Sequence, residues 1–191
     1  MSFNVLVVPE DPANNGYILK PLVIRLLEEC AKPNAMVTVL ANPRAQGYEH
    51  AKALLRTQLL DRYRYMNLIL FLPDADGKDR SGELRALEAE ADGRGVRLLC
   101  CAALQEVEVW LLAGYHERLE ASWPEVRAEA SVKERFFLPF LSVHGDRRRA
   151  GGGRDLLMQK TLGNYRSLLA LCPELADLEN RIRQILSSIS G

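Results

Sequence analysis

The chain has 191 residues, and 25 Lys+Arg balance 25 Asp+Glu, so the formal net charge is zero. Hydrophobic residues make up 48 % and charged residues 26 %, which argues against disorder and low complexity. A chain of this length buries a sizeable core without staples, and zero net charge excludes a uniformly basic surface.

The first apolar run, Phe3 to Pro9 (FNVLVVP), reads as a buried strand that ends in a turn-prone stretch reaching Gly16. Tyr17 to Cys30 has helical spacing through Ile18, Leu22, Leu26 and Leu27, with Pro21 tolerated in its first turn. Ala35 to Leu40 is a second strand. Gly47 to about Tyr63 is a second helix, with Ala51, Leu54, Leu55 and Leu59 along one side. Asn67 to Pro73 (NLILFLP) is a third strand, followed by the loop Asp74 to Asp79. Ser81 is expected to cap the next helix, Glu83 to Gly93, and Val96 to Ala102 is a fourth strand. This β-α-β-α-β-α-β order predicts a parallel sheet with helices on both faces. From Glu106 onward only helices are expected: Val107–Leu112, Val132–Leu141, Arg154–Leu171 and Glu174–Ile189. The expected organisation is an α/β core over 1–104 and an all-helical extension over 105–191 packed on or beside it.

Cys30, Cys100, Cys101 and Cys172 form no C-x-x-C pair and read as buried small hydrophobes in a reducing compartment. His50, His116 and His144 lie too far apart in sequence to suggest a zinc site. No signal peptide and no apolar run of about 20 residues is recognisable, so a cytoplasmic protein without a membrane span is expected.

In open parallel sheets, sites form beyond the carboxyl ends of the strands. Glu10 and Asp11 follow the first strand, Asp74, Asp76 and Asp79 the third, and Gln105, Glu106 and Glu108 the fourth. Carboxylates held close repel one another unless protons or a cation intervene, and hard oxygen ligands suit Mg²⁺ or Mn²⁺. Asp74-x-Asp76 in a Gly-ended loop can direct both side chains to one ion, and Glu10 can ligate it or transfer a proton. The bland alternative is a loop in which Asp serves turns and caps.

An acidic residue ending the first strand and an Asp-x-Asp ending a later one resemble the TOPRIM catalytic domain. The closer similarity is to small RloB-related and OLD-type prokaryotic TOPRIM-like proteins. It rests on Val7–Asp11 (VVPED) with Tyr17–Leu22, on Phe71–Gly77 (FLPDADG), on Gln105–Ala113 (QEVEVWLLA) and on Asn164–Arg166. The resemblance implies a TOPRIM-like (Rossmann-like) core, with Glu10 as general acid/base and Asp74 and Asp76 as metal ligands. The acidic residue before the family's Trp is Glu106 or Glu108, and Glu108 fits the Glu-x-Trp spacing better. In a helix these two differ by about 200°, so both cannot face one site. Trp110 reads as a core residue rather than a base-stacking one. The family's Glu-Gly is Glu10-Asp11 here.

Lys133 to Arg166 holds eight bases against three acids, whereas Glu83 to Glu129 holds ten acids against five bases. Arg147, Arg148, Arg149 and Arg154 flank Gly151–Gly153 and read either as a basic loop that follows a phosphate backbone or as a solvated surface loop. The expected function is Mg²⁺- (or Mn²⁺-) dependent phosphodiester cleavage of DNA or RNA, with a place in phage defence. The alternatives are a non-catalytic TOPRIM-like subunit that docks on an ATPase partner, and a flavodoxin-like nucleotide-binding domain.

Overall fold

Runs of Val, Leu, Ile and Phe between turn residues form strands here; the two central strands are buried almost throughout, whereas Met36 and Thr38 on an edge strand are exposed. The computed structural model describes residues 2–190. In chain order it gives β1 (Asn4–Pro9), α1 (Gly16–Glu29), β2 (Met36–Val39) and α2 (Tyr48–Leu54). A π-helical turn, Leu55–Leu59, joins α2 to α3 (Leu60–Arg62), and β3 (Leu68–Leu72), α4 (Ser81–Gly93) and β4 (Leu98–Cys100) follow. The rest is helical: α5 (Glu108–Leu112), α6 (Trp123–Ala128), α7 (Leu138–His144), α8 (Arg154–Leu162), α9 (Tyr165–Leu171) and α10 (Pro173–Ser190). The fold class is therefore α/β.

All four strands run parallel in the order β2-β1-β3-β4. Side chains alternate across the sheet, so one strand feeds two cores. Leu68, Leu70 and Leu72 of β3, with Val5 and Val7 of β1, pack with α1 and with Trp110, Leu168 and Ile182 from the helical part. Ile69 and Phe71, with Leu6 and Val8, pack against Leu54, Leu55, Leu59, Leu84 and Leu87 on the other face. The helical part thus shares a core with α1. The four cysteines are buried and free. Among the described residues, no helix is long and apolar enough to cross a membrane.

Register fixes the position of the acidic loops. Pro9 pairs with Leu72, so β1 and β3 end together, and the ladder continues as a bridge between Asp74 and Ala103. The exposed side of β4 is covered by side chains: Cys100 donates its N–H to Glu88 (2.6 Å) and its carbonyl accepts from Arg181 (3.1 Å), while Arg181 and Glu88 pair at 2.6 Å. A strand edge occupied in this way is closed to further pairing.

The structure alters several expected boundaries. Arg80, not Ser81, is the N-cap of α4, and Asp79 Oδ1 accepts the Ser81 N–H at 2.9 Å. The expected helix 154–171 is broken at Gly163-Asn164, where the Asn164 side chain caps α9 by accepting the Ser167 N–H. α6 was not anticipated, although Ser122 and Glu125 form a capping box that the sequence displays.

Gly114 lies where the turn after α5 meets α8, and a Cβ there would stand 2.6 Å from the Thr161 Cα. Gly114→Ala should therefore cost about 1–3 kcal/mol in urea unfolding. Gly82→Ala, with nothing within 4 Å, should stay within about 0.5 kcal/mol of wild type or gain stability.

Candidate functional site

The carboxylates gather at the carboxyl edge of the sheet around Glu10. Glu10 Oε2 accepts the Asp74 backbone N–H at 3.1 Å, and the Tyr48 N–H also donates to this carboxylate. Burial raises the Glu10 pKa, with Asp76 adding to the rise, and these two N–H donors together with Arg80 oppose it. Asp74 is held from the other direction, because its Oδ1 accepts the Val107 N–H at 2.8 Å. Its carboxyl is pushed up to about 8, first by burial and then by the charges of Glu108 and Glu10, with a smaller contribution from Glu106. Two strand ends and the entry to α5 are thus tied together by backbone donors on carboxylates.

Glu108 is 1 % exposed. Its Oε1 lies 3.7 Å from Lys133 Nζ, an ion pair too long for a hydrogen bond, and that oxygen has no hydrogen-bond partner among the described residues. Burial raises its pKa, and Lys133 and Arg154 pull it back. Glu106 Oε2 accepts the Lys133 backbone N–H at 2.8 Å. The sequence leaves open which of these glutamates bears on the site; α5 starts at Glu108, Glu106 precedes it, and the charges of both raise the Asp74 pKa. Trp110 is fully buried and donates to Glu174 at 3.0 Å, so it is a core residue.

Asp76 is placed differently. It adopts φ 51°, its side chain is 53 % exposed, and it pairs with Arg80 at 3.2 Å. It acts on Glu10 through space and adds to the rise of that carboxyl. Among the described residues, no group of three or more His, Cys, Asp or Glu side chains is arranged to hold a metal ion as it stands.

The four expected arginines separate. Arg147, Arg148 and Arg149 are exposed, and Arg149 pairs with Asp155 at 3.0 Å. Arg154 does not belong to the loop. It opens α8, is 8 % exposed, donates to the Gly151 carbonyl at 2.7 Å and lies 5.2 Å from the Phe137 ring centre. Its charge faces Glu108 and Asp11. These contacts hold Arg154 apart from the exposed Arg147, Arg148 and Arg149. Sequence reasoning missed Arg80, Lys133 and Tyr48. The Asp76-to-Arg80 spacing of four was the one visible signal, and nothing local marked the other two.

No family model matches the chain, and no curated protein or solved structure shows significant similarity to it.

Asp74 binds its proton more tightly folded than unfolded, so its contribution to stability is full below about pH 4 and is lost as the pH rises through about 8. Asp74→Asn keeps an acceptor for Val107 and removes the titration. In chelator, urea unfolding from about pH 5 to about pH 9 should show wild type losing on the order of 1–3 kcal/mol relative to the variant. Parallel pH profiles would refute the raised carboxyl.

Proposed function

We propose that this chain is a TOPRIM-like, divalent-metal-dependent nuclease of the cytoplasm, acting in prokaryotic defence. The observation that carries the reading is the convergence of Glu10, Asp74 and Glu108 on one buried edge, where burial and then the neighbouring charges push Asp74 up to about 8. Strand ends do not accumulate uncompensated buried carboxylates for stability, because such burial is costly.

The donor set fits a hard divalent ion such as Mg²⁺ or Mn²⁺. All of its members are carboxylates, and Glu108 Oε1 is a buried oxygen without a hydrogen-bond partner. Asp74 and Asp76 would hold the ion, with Glu108 and then Glu106 as auxiliary groups. When bound, such an ion supplies Lewis acidity toward a phosphate oxygen. Glu10 moves the proton: burial raises its pKa toward neutrality, and the Asp74 and Tyr48 N–H groups fix its orientation. Lys133 and Arg154 hold Glu108 against the charge of its neighbours. The exposed Arg147, Arg148 and Arg149 hold the nucleic acid away from the reacting phosphate.

The second reading is a non-catalytic subunit that docks on an ATPase partner. Two observations favour it: Asp11 stands where the TOPRIM pattern has Gly, and Asp76 is already engaged by Arg80. Purified protein with Mg²⁺ or Mn²⁺ should cut DNA or RNA, and Asp74→Ala with Asp76→Ala should lower the rate by on the order of 100-fold or more. Full biological function of Asp74→Asn, with co-purification of an ATPase, would decide for the subunit instead.

A further inference from the structure

Arg80 pairs with Asp76 and its charge acts on Glu10, and its setting is unusual for a surface loop. Its side chain is only 9 % exposed. The guanidinium carbon lies 3.6 Å above the centre of the Tyr48 ring. Tyr48 is itself fixed: its ring stacks on Phe71 with 6.0 Å between centroids, and its hydroxyl meets Glu83 at 3.4 Å. The Tyr48 backbone N–H also orients Glu10. The residue that supports the guanidinium therefore also aligns the carboxylate beside it.

A guanidinium has five N–H donors. Arg80 uses one on Asp76, at 3.2 Å, and its buried Nε finds no hydrogen-bond partner among the described residues. Asp76 is a weak claimant, half exposed and tied by a single bond, whereas a stacked, planar guanidinium is preorganised for bidentate contact with a tetrahedral oxyanion. Arg80 also lines a cleft of about 570 Å³, together with Lys78, Arg85 and Arg181 and the acids Asp79, Glu88 and Asp177. A strand whose phosphate reached Arg80 has room there for the adjoining nucleotide.

We propose that Arg80 is the residue that grips the phosphate to be cleaved, and that Asp76 holds its place in the free protein. The proposal rests on the nuclease reading and names a contact within it. It assigns Asp76 two alternating partners, Arg80 in the free site and the divalent ion in the loaded one. It also separates Arg80 from the exposed arginines at 147–149, which touch phosphates farther along the strand.

The test is oligonucleotide binding in chelator, where no cleavage occurs. On wild type, one methylphosphonate moved along the strand should weaken binding by about 10-fold or more at a single position. Arg80→Gln should bind about 10-fold less tightly, lose that positional effect, and lower the slope of log affinity against log salt by about 0.7–0.9. Arg80→Lys should restore the salt slope but not the full affinity. Asp76→Asn should tighten binding about 2- to 5-fold, and the gain should vanish when combined with Arg80→Gln. If Arg80→Gln weakens binding while the positional effect persists, Arg80 only shapes the loop and the proposal fails, with the nuclease reading intact. If wild type binds no oligonucleotide and cleaves none with Mn²⁺, the nuclease reading fails and takes this proposal with it.

Discussion

The structure turns on one hydrogen bond, the Asp74 N–H to the Glu10 carboxylate. It exists because β1 and β3 are neighbours in the sheet and end in register, Pro9 opposite Leu72. A parallel pair cannot be closed by a hairpin, so its two carboxyl ends emerge on the same edge with free loops. The bond therefore binds two loops that are 64 residues apart in sequence. It also sets the electrostatic problem that the other elements solve. Glu10 and Asp74 share one desolvated space, and the Glu10 charge raises the cost of ionising Asp74.

The solution comes from two directions. On one side Lys133 and Arg154, both from the helical part, face Glu108. On the other Arg80, from the loop before α4, faces Asp76 and Glu10. Neither side neutralises Asp74, whose carboxyl stays pushed up to about 8. On the proposed reading, the unrelieved carboxyl at the centre is where a cation would enter, and the flanking cations are where a phosphate would dock.

What could be read from the sequence follows from the range of each interaction. The four strands and most helices were legible because burial imposes a local period, and the acids at strand ends followed from the rule for parallel sheets. The choice between Glu106 and Glu108 stayed open because the 200° separation holds only inside a helix, and α5 starts at Glu108. Arg154 was misassigned because composition grouped it with Arg147–149. Its burial depends on Phe137 and Glu108, which no local pattern connects to it. The breaks at Gly163-Asn164 and the capping box before α6 were present as residues and were outweighed by apolar spacing.

The change of character near residue 104 marks a switch of secondary structure without a gap in the core. Leu70 and Trp110 belong to one apolar cluster, and so do Val5 and Ile182. A helical layer confined to packing would need no buried charge. This one directs Lys133 and Arg154 at the acids on the sheet edge and lends Arg181 to the edge strand β4. The zero net charge of the chain thus conceals a division of labour. Strand ends and the α5 entry contribute the acids, the helical part contributes the half-buried Lys133 and the buried Arg154 that face them, and the surplus bases are left exposed at 147–149. Acids at the sheet edge and bases in the helical layer would each be costly alone, so the two parts of the chain are held together by charge as well as by their common core.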